Sequence, residues 1–396
     1  MAKFVEAQID GLAGRPQVIN VKFHSDLNVF WGLNGSGKTS FLKILHSALT
    51  GEVSGIVRVP FKSARVSFED GSGSGKIYTR SIRKTARISD LGREERELLE
   101  VLEQEGASEA ERERVFLDVA GKLQWKTVPE VPRASSRHFF HGYLPISRMT
   151  DLARRNPYAT RREPTGLLNE AIIDEEFARQ TAALWRDYSN TALTRIRQAQ
   201  EEGLADVLSA ILTGERGRSR AKAAIPSDVA FELVTSFFRG QRIAPQLTSF
   251  EKFAENYDRN RLLQDVVERI SDIQASIREA QEPERRLVEM FDNLFPANKQ
   301  LILDSRVGVG FRIGGERVPL ESLSSGEKQI VRLLLECLAA RSHAILIDEP
   351  ELSLHVDWQH RLVSYMRLVN PEAQLILATH SPEVMADVPV DKVFEL

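Results

Sequence analysis

The chain has 396 residues, 42% of them hydrophobic and 28% charged, which suits one large buried core or two modest ones. Its formal charge of -3 neither marks nor excludes a nucleic-acid partner, because a local patch outweighs the total. A single cysteine, Cys337, cannot staple a secreted fold, and no run approaches the ~20 apolar residues of a membrane span, so a cytoplasmic protein with no membrane partner is expected.

Phe4 to Ile9, Gln17 to Phe23 and Leu27 to Trp31 are short β-rich runs broken by Gly, Pro, Asn and Asp, and they read as strands. The third runs into Gly32-Leu-Asn34-Gly35-Ser36-Gly37-Lys38-Thr39-Ser40, with helical character from Ser40 to Leu49. In this strand–loop–helix setting the glycines let backbone N–H groups wrap phosphates, and the helix start adds a favourable dipole. Residues Asn34 to Ser40 are therefore the candidate nucleotide cradle. Lys38 is placed to reach the β- and γ-phosphates, and the Thr39 hydroxyl to ligate Mg²⁺. Arg15, in the glycine-rich turn from Gly11 to Pro16, is a candidate adenine contact or a plain surface arginine.

Residues 53–82 predict an antiparallel β-region turning at Glu69 to Gly75. Residues 93–123, rich in Glu and Arg, read as solvated helices. Phe139 to Ile146 is strand-like. Arginines 133, 137, 148, 154, 155, 161 and 162 surround it, with Phe139, Phe140, Tyr143 and Tyr158 interleaved. Arginine with aromatics suits phosphate contact and base stacking by a nucleic acid; a solvated arginine surface over a strand is the plainer reading, and Arg148 could instead point into the nucleotide site.

From Gly166 to about Gln281 the pattern is helical. Leu263, Val266, Ile270, Ile273 and Ile277 form a short coiled-coil-like seam, which residues 168–202 could join as a second long helix, or the whole could be a plain bundle. Strand signals return at Gln300 to Asp304 and Val307 to Ile313, and strand and helix alternate thereafter.

Three further motifs lie in this last part. Leu323-Ser324-Ser325-Gly326-Glu327-Lys-Gln329 opens an apolar helix, where hydroxyls, backbone donors and the dipole make an anion site or an ordinary N-cap. Ala344-Ile-Leu-Ile-Asp348-Glu349-Pro350 is an apolar strand ending in two carboxylates. Asp348 suits the outer shell of Mg²⁺, and Glu349 suits a general base on the attacking water. Leu375-Ile-Leu-Ala-Thr379-His380-Ser381-Pro382 ends a third apolar strand in a histidine able to donate to a γ-phosphate. Cys337 lies in an apolar helical run and reads as a buried cysteine.

These four motifs, in this order, resemble the ABC-type ATPases. Leu323 to Glu327 matches their signature, with Ser325 where Gly is commoner. Asp348-Glu349-Pro350 matches their second Walker motif, Glu351-Leu-Ser-Leu-His355 sits at their D-loop, and His380 matches their switch histidine. The resemblance implies an α/β fold: an ABC-type P-loop head, with a mixed sheet core and an antiparallel β-region, carrying a large helical insertion. Its expected parts are residues 1–165, 166–290 (the insertion) and 291–396. It further implies ATP and Mg²⁺ as cofactors and Glu349 and His380 as catalytic residues. Two copies, as a homodimer or within a higher oligomer, would sandwich the nucleotides, with Ser324, Ser325, Gly326 and Glu327 of one copy facing the other's γ-phosphate. A Q-loop glutamine is expected; Gln124 is available, but no motif surrounds it.

The long separation of Gly37 from Leu323 is similar to the SMC and RecF-like branch. The run from Asp348 to His355 is similar to the heads of overcoming-lysogenization-defect nucleases and of bacterial phage-defence ATPases. Little chain remains after His380 for the Toprim domain of those nucleases, so a separate effector such as a nuclease or toxin is expected. The alternative is a RecF/SMC-like ATPase that binds DNA directly in repair or chromosome maintenance.

Overall fold

The computed structural model describes residues 2–70, 75–84, 124–129, 139, 141–145, 170–213, 225–240, 249–295, 298–304 and 308–396. The expected surface helices of 93–123 lie outside them, as do parts of the helical region between 203 and 245. In chain order the elements are β1 Ala2–Asp10, β2 Val18–Lys22, β3 Leu27–Trp31, α1 Lys38–Thr50, β4 Ser63–Asp70, β5 Ile77–Arg83, β6 Lys126–Val128 and β7 Gly142–Leu144. Then come α2 Glu170–Thr213, α3 Ser227–Gly240, α4 Phe250–Arg259, α5 Arg261–Leu294, β8 Lys299–Asp304, β9 Gly308–Ile313 and β10 Glu316–Val318. The last are α6 Ser325–Ala340, β11 Ala344–Asp348, α7 Val356–Val369, β12 Gln374–Thr379, α8 Pro382–Met385 and β13 Val393–Glu395. The fold is α/β, and it forms two compact units: residues 1–182 with 315–396, and residues 183–314.

In the first unit a parallel sheet runs β13-β3-β12-β11-β7. Every residue of β11 and β12 is buried, as expected of parallel strands covered on both faces. Ala344, Leu346, Ile376, Ala378 and Phe30 point into one cluster with α1 residues Phe41, Leu42 and Leu45. The alternate residues of β11 face the other way, towards α6, which packs on β11 and carries α7. Cys337 is buried in α6, where burial pushes its thiol up, as a helix-core cysteine requires.

An antiparallel sheet, β2-β1-β4-β5-β6, covers α1. Two polar side chains tie the layers together. Gln374, fully buried at the start of β12, accepts from the Phe4 amide at 2.7 Å and donates to Phe4 O at 2.9 Å and His24 O at 2.8 Å. Arg80 of β5 donates through Nη1 to Ala48 O at 2.7 Å and Leu49 O at 3.0 Å, satisfying carbonyls that the end of α1 leaves open. Phe139 and Tyr143 belong to this same core. Phe139 is 7% exposed and stacks edge-on against Phe68 and Tyr78, while Tyr143 stacks on His46. Although β7 is the edge strand of its sheet, Phe139 is buried in the core and Tyr143 packs against it, so these two aromatics serve the core.

In the second unit α3, α4 and α5 pack on one another. Ile270 and Ile273 of the predicted seam are buried with Val234, Phe237 and Phe253, and Leu263, Val266 and Ile277 flank them. The seam is thus the inner face of a small bundle. A long helical partner is also present: a Cβ on Gly203 of α2 would come within 2.2 Å of Ile273 Cγ1, so α2 and α5 cross there. With 44 residues, α2 is about 65 Å long at 1.5 Å per residue. Phe291, Phe295 and Phe311 stack together and seat the β8–β9 hairpin against the end of α5.

Candidate functional site

Strands β3, β12 and β11 are adjacent and parallel, so the segments that follow them leave the same carboxyl edge of the sheet, where open α/β sheets place ligands. After β3 comes the glycine loop. Gly35 (φ 83°) and Gly37 (φ 101°) adopt left-handed conformations that side chains resist. The start of α1 is capped by Gly37 with no side-chain hydrogen bond, which leaves its first amides to an anion. Ser36 Oγ is buried here without a protein partner. Lys38, 5% exposed, arches over the loop and donates to Gly32 O at 2.7 Å and Leu33 O at 3.2 Å. These features fit a phosphate group.

The turn after β1 supports this loop. A Cβ at Gly37 would lie 3.1 Å from Ala13 Cβ and 3.3 Å from Leu12 Cγ. Ala13 itself holds φ 53°. Arg15 is therefore three residues or fewer from a direct neighbour of the loop, and it is exposed. Gln124 is also exposed, just before β6.

Asp348 ends β11 fully buried. Mg²⁺ keeps several waters and needs only one or two protein oxygens, a role the hydroxyl of Thr39 and the carboxylate of Asp348 fit. Among the described residues no group of three or more His, Cys, Asp or Glu is arranged to hold a metal. Glu349 is held at φ 47°, with its amide donating to Ala378 O at 2.8 Å. A left-handed backbone costs a non-glycine residue about 1–2 kcal/mol, and such strain collects at functional sites. After β12, His380 Nδ1 lies 3.3 Å from Glu349 Oε1, so the two expected catalytic side chains are neighbours.

Glu351 was not singled out as a site residue by the sequence, yet it is the hub of this edge. It is 5% exposed. Its Oε1 accepts from Thr379 Oγ1 at 2.6 Å, His380 N at 3.0 Å and Ser381 N at 3.2 Å, and it lies 3.3 Å from His380 Nδ1. Gln359 of α7 donates to Leu354 O at 3.0 Å and accepts from Ser381 Oγ at 2.9 Å. The loop 349–355 and the segment 379–381 are thus one hydrogen-bonded body. The sequence hints were its place at the head of the D-loop match and a third acidic residue directly after Asp-Glu-Pro.

The serine–glycine motif joins the same loop. Ser324 caps α6, accepting from Glu327 N, while Glu327 Oε2 accepts from Ser324 N; this capping box is the N-cap that was one of the two readings of the motif. Ser324 and Ser325 remain exposed. Gly326 packs on the loop: a Cβ there would sit 2.7 Å from Ser353 O. Lys328 is buried and pairs with Asp174 of α2 at 2.6 Å. Arginines 133, 137, 148, 154, 155, 161 and 162, the candidate nucleic-acid contacts, all lie outside the described residues. Among the described residues no helix is long and apolar enough to cross a membrane.

Comparison with known proteins adds the following. The chain is 32% identical over 92 residues to the retron Vc95 probable ATPase of Vibrio cholerae, covering 20% of this chain and 18% of that protein. It is 36% identical over 52 residues to the Septu protein PtuA of Bacillus thuringiensis, 13% of each chain. These matches span less than a fifth of either relative. The Smc head domain of Pyrococcus furiosus, solved with an extended coiled coil and the C-terminal domain of ScpA, is 15% identical at a TM-score of 0.44, over 98% of this chain and 92% of that one. The Smc head of Pyrococcus yayanosii gives 15% and 0.41, over 98% and 93%. The family model described as "AAA domain, putative AbiEii toxin, Type IV TA system" matches residues 27–386, most of the chain from the first strand of the glycine loop to past His380, and the chain belongs to that family.

Proposed function

We propose that the chain binds ATP with Mg²⁺ and hydrolyses it in ABC fashion, in a dimer closed by the nucleotide, and that this cycle controls a separate effector in bacterial anti-phage defence. The observation that carries the reading is the convergence of the glycine loop, Glu349 and His380 on one sheet edge. Lys38 and the open amides of α1 bind the β- and γ-phosphates. Thr39 and Asp348 would hold Mg²⁺, which would offset the negative charge of the phosphates. Glu349 polarises the attacking water, and His380 donates from its exposed side to a γ-phosphate oxygen.

The trans arrangement is supported by what surrounds this edge. Ser324 and Ser325 are solvent-facing donors at a helix start. Apolar Leu33 (78% exposed) in the glycine loop and Leu352 (46%) in the loop after Glu349 are exposed, and a second copy seated on this edge would cover them. Association then depends on contacts made only while the γ-phosphate is present, and hydrolysis removes them. A cytoplasmic setting and a nuclease or toxin as effector belong to the same proposal, supported by the resemblance to phage-defence ATPases and by the two relatives above.

The test is a pair of variants. Glu349→Gln should lower turnover at least a hundredfold, retain ATP and elute as a dimer with ATP present; hydrolysis at the parental rate removes Glu349 as the base. Lys38→Ala should lose ATP binding by calorimetry, and unchanged affinity refutes its role.

A further inference from the structure

We propose that Glu351 is a positioning residue for hydrolysis, acting through His380; this rests on the ATPase reading above. Two facts about the site demand such a residue. His380 is the partner expected to touch the γ-phosphate, yet its side chain is 45% exposed, so its own packing does not fix it. It also lies immediately after β12, where the ladder that orders Thr379 ends. Glu351 supplies the missing restraint.

One oxygen, Oε1, collects the Thr379 hydroxyl and the amides of His380 and Ser381, which fixes the backbone that aims the imidazole. The same oxygen faces His380 Nδ1, as does Glu349 Oε1, each at 3.3 Å. A carboxylate can only accept, so these two oxygens favour a hydrogen on Nδ1. Among the described residues, removing Glu351 leaves Glu349 as the one carboxylate facing Nδ1. The imidazole then draws on the group that must polarise water, and the histidine loses its fixed backbone. The amides of 380 and 381 are charge-assisted donors to Glu351, the stronger class of hydrogen bond, so the restraint is a stiff one. Gln359 braces it from α7 by holding Leu354 O and Ser381 Oγ.

The experiment compares the parental protein, Glu351→Ala, Glu351→Gln, His380→Ala and the double variant Glu351→Ala/His380→Ala. Glutamine can place its carbonyl oxygen at Oε1 and keep the same donors. Expected are a fall in kcat of tenfold or more for Glu351→Ala, with the affinity for a fluorescent ATP analogue within threefold of parental. Glu351→Gln should recover turnover relative to Glu351→Ala, and the double variant should be no slower than His380→Ala alone. In the nucleotide-free protein, a hydrogen-bonded Nδ1–H signal from His380, assigned by its loss in His380→Ala, should appear at the same position in ¹⁵N-histidine spectra of parental and Glu351→Gln and move in Glu351→Ala, where Glu349 is left as its acceptor. Parental kcat in Glu351→Ala, a multiplicative loss in the double variant, or an Nδ1–H signal unmoved by Glu351→Ala overturns the proposal. If the parental protein fails to hydrolyse ATP, the ATPase reading falls, whereas the spectra still judge the link between Glu351 and His380.

Discussion

Gly326→Ala offers a sharp test of how the start of α6 bears on the loop after β11. The new Cβ would sit 2.7 Å from Ser353 O and 3.7 Å from Trp358 Cζ3. An ordinary carbon–oxygen approach is about 3.3–3.6 Å, so roughly 0.7 Å of movement is required, and the obstacle is backbone. Ser353 already holds φ 66°, so the loop has little slack to give. In a helix, alanine is better than glycine by about 1 kcal/mol, which offsets part of the steric cost, so the melting temperature should shift by only a few degrees. The displaced loop also carries Glu349 and Glu351, and a misplacement of about 1 Å can cost a hundredfold in rate. Phosphate release should therefore fall ten- to a hundredfold, with ATP affinity nearly unchanged. Adding Ser353→Gly, which relaxes the left-handed residue, should recover part of the loss. Full turnover in Gly326→Ala at unchanged stability would show that the contact constrains nothing and would refute the reasoning.

Two other predictions concern stability. Arg80 is 5% exposed and lies 5.7 and 5.5 Å above the rings of Phe68 and Phe139; burial lowers its pKa. Arg80→Met keeps the bulk but strands two carbonyls of α1, and should cost about 3 kcal/mol in urea denaturation; a loss below about 1 kcal/mol contradicts that role. His141, which lies 2.7 Å from His46 Nδ1, has its pKa lowered to about 4 by burial and then by the charge of His46. His343 is likewise lowered to about 4, chiefly by burial. The unfolded chain then binds more protons than the native one between about pH 6.5 and pH 4, so stability should fall as pH drops through that window, by up to roughly 3 kcal/mol from His141. A flat stability profile from pH 7 to 4.5 would contradict it.

The apolar strands and the glycine loop were legible because their signals are local. Leu27–Trp31 is a strand as expected, and the helix after it begins at Lys38, two residues before the apolar period shows, because Gly37 supplies the turn. The runs ending in Asp348 and Thr379 are the buried parallel strands anticipated. What escaped were polar residues whose partners are remote. Glu351 meets Thr379 across 28 residues, Gln359 meets Ser381 across 22, Arg80 meets Ala48 across 32 and Gln374 meets Phe4 across 370. No local period encodes such a pairing. The seam around Ile270 and Ile273 shows the converse: spacing identifies an apolar face but not what covers it, here α3 and α4 as well as α2 at Gly203. Phe139 and Tyr143 can be read as stacking platforms or as core, and only their contacts with Phe68, Tyr78 and His46 decide.

Strand β12 is anchored at both extremities: Gln374 splices its beginning to Phe4 and His24, and the Thr379 hydroxyl moors its end to the Glu351 carboxylate. Such a beam cannot slide along its axis without breaking buried links at one extremity or the other. Whatever stroke accompanies turnover must then be absorbed by the short connections at the sheet's rim, with the strands serving as fixed bearings. Amide exchange should accordingly be slowest through β12 and quicken abruptly on passing His380.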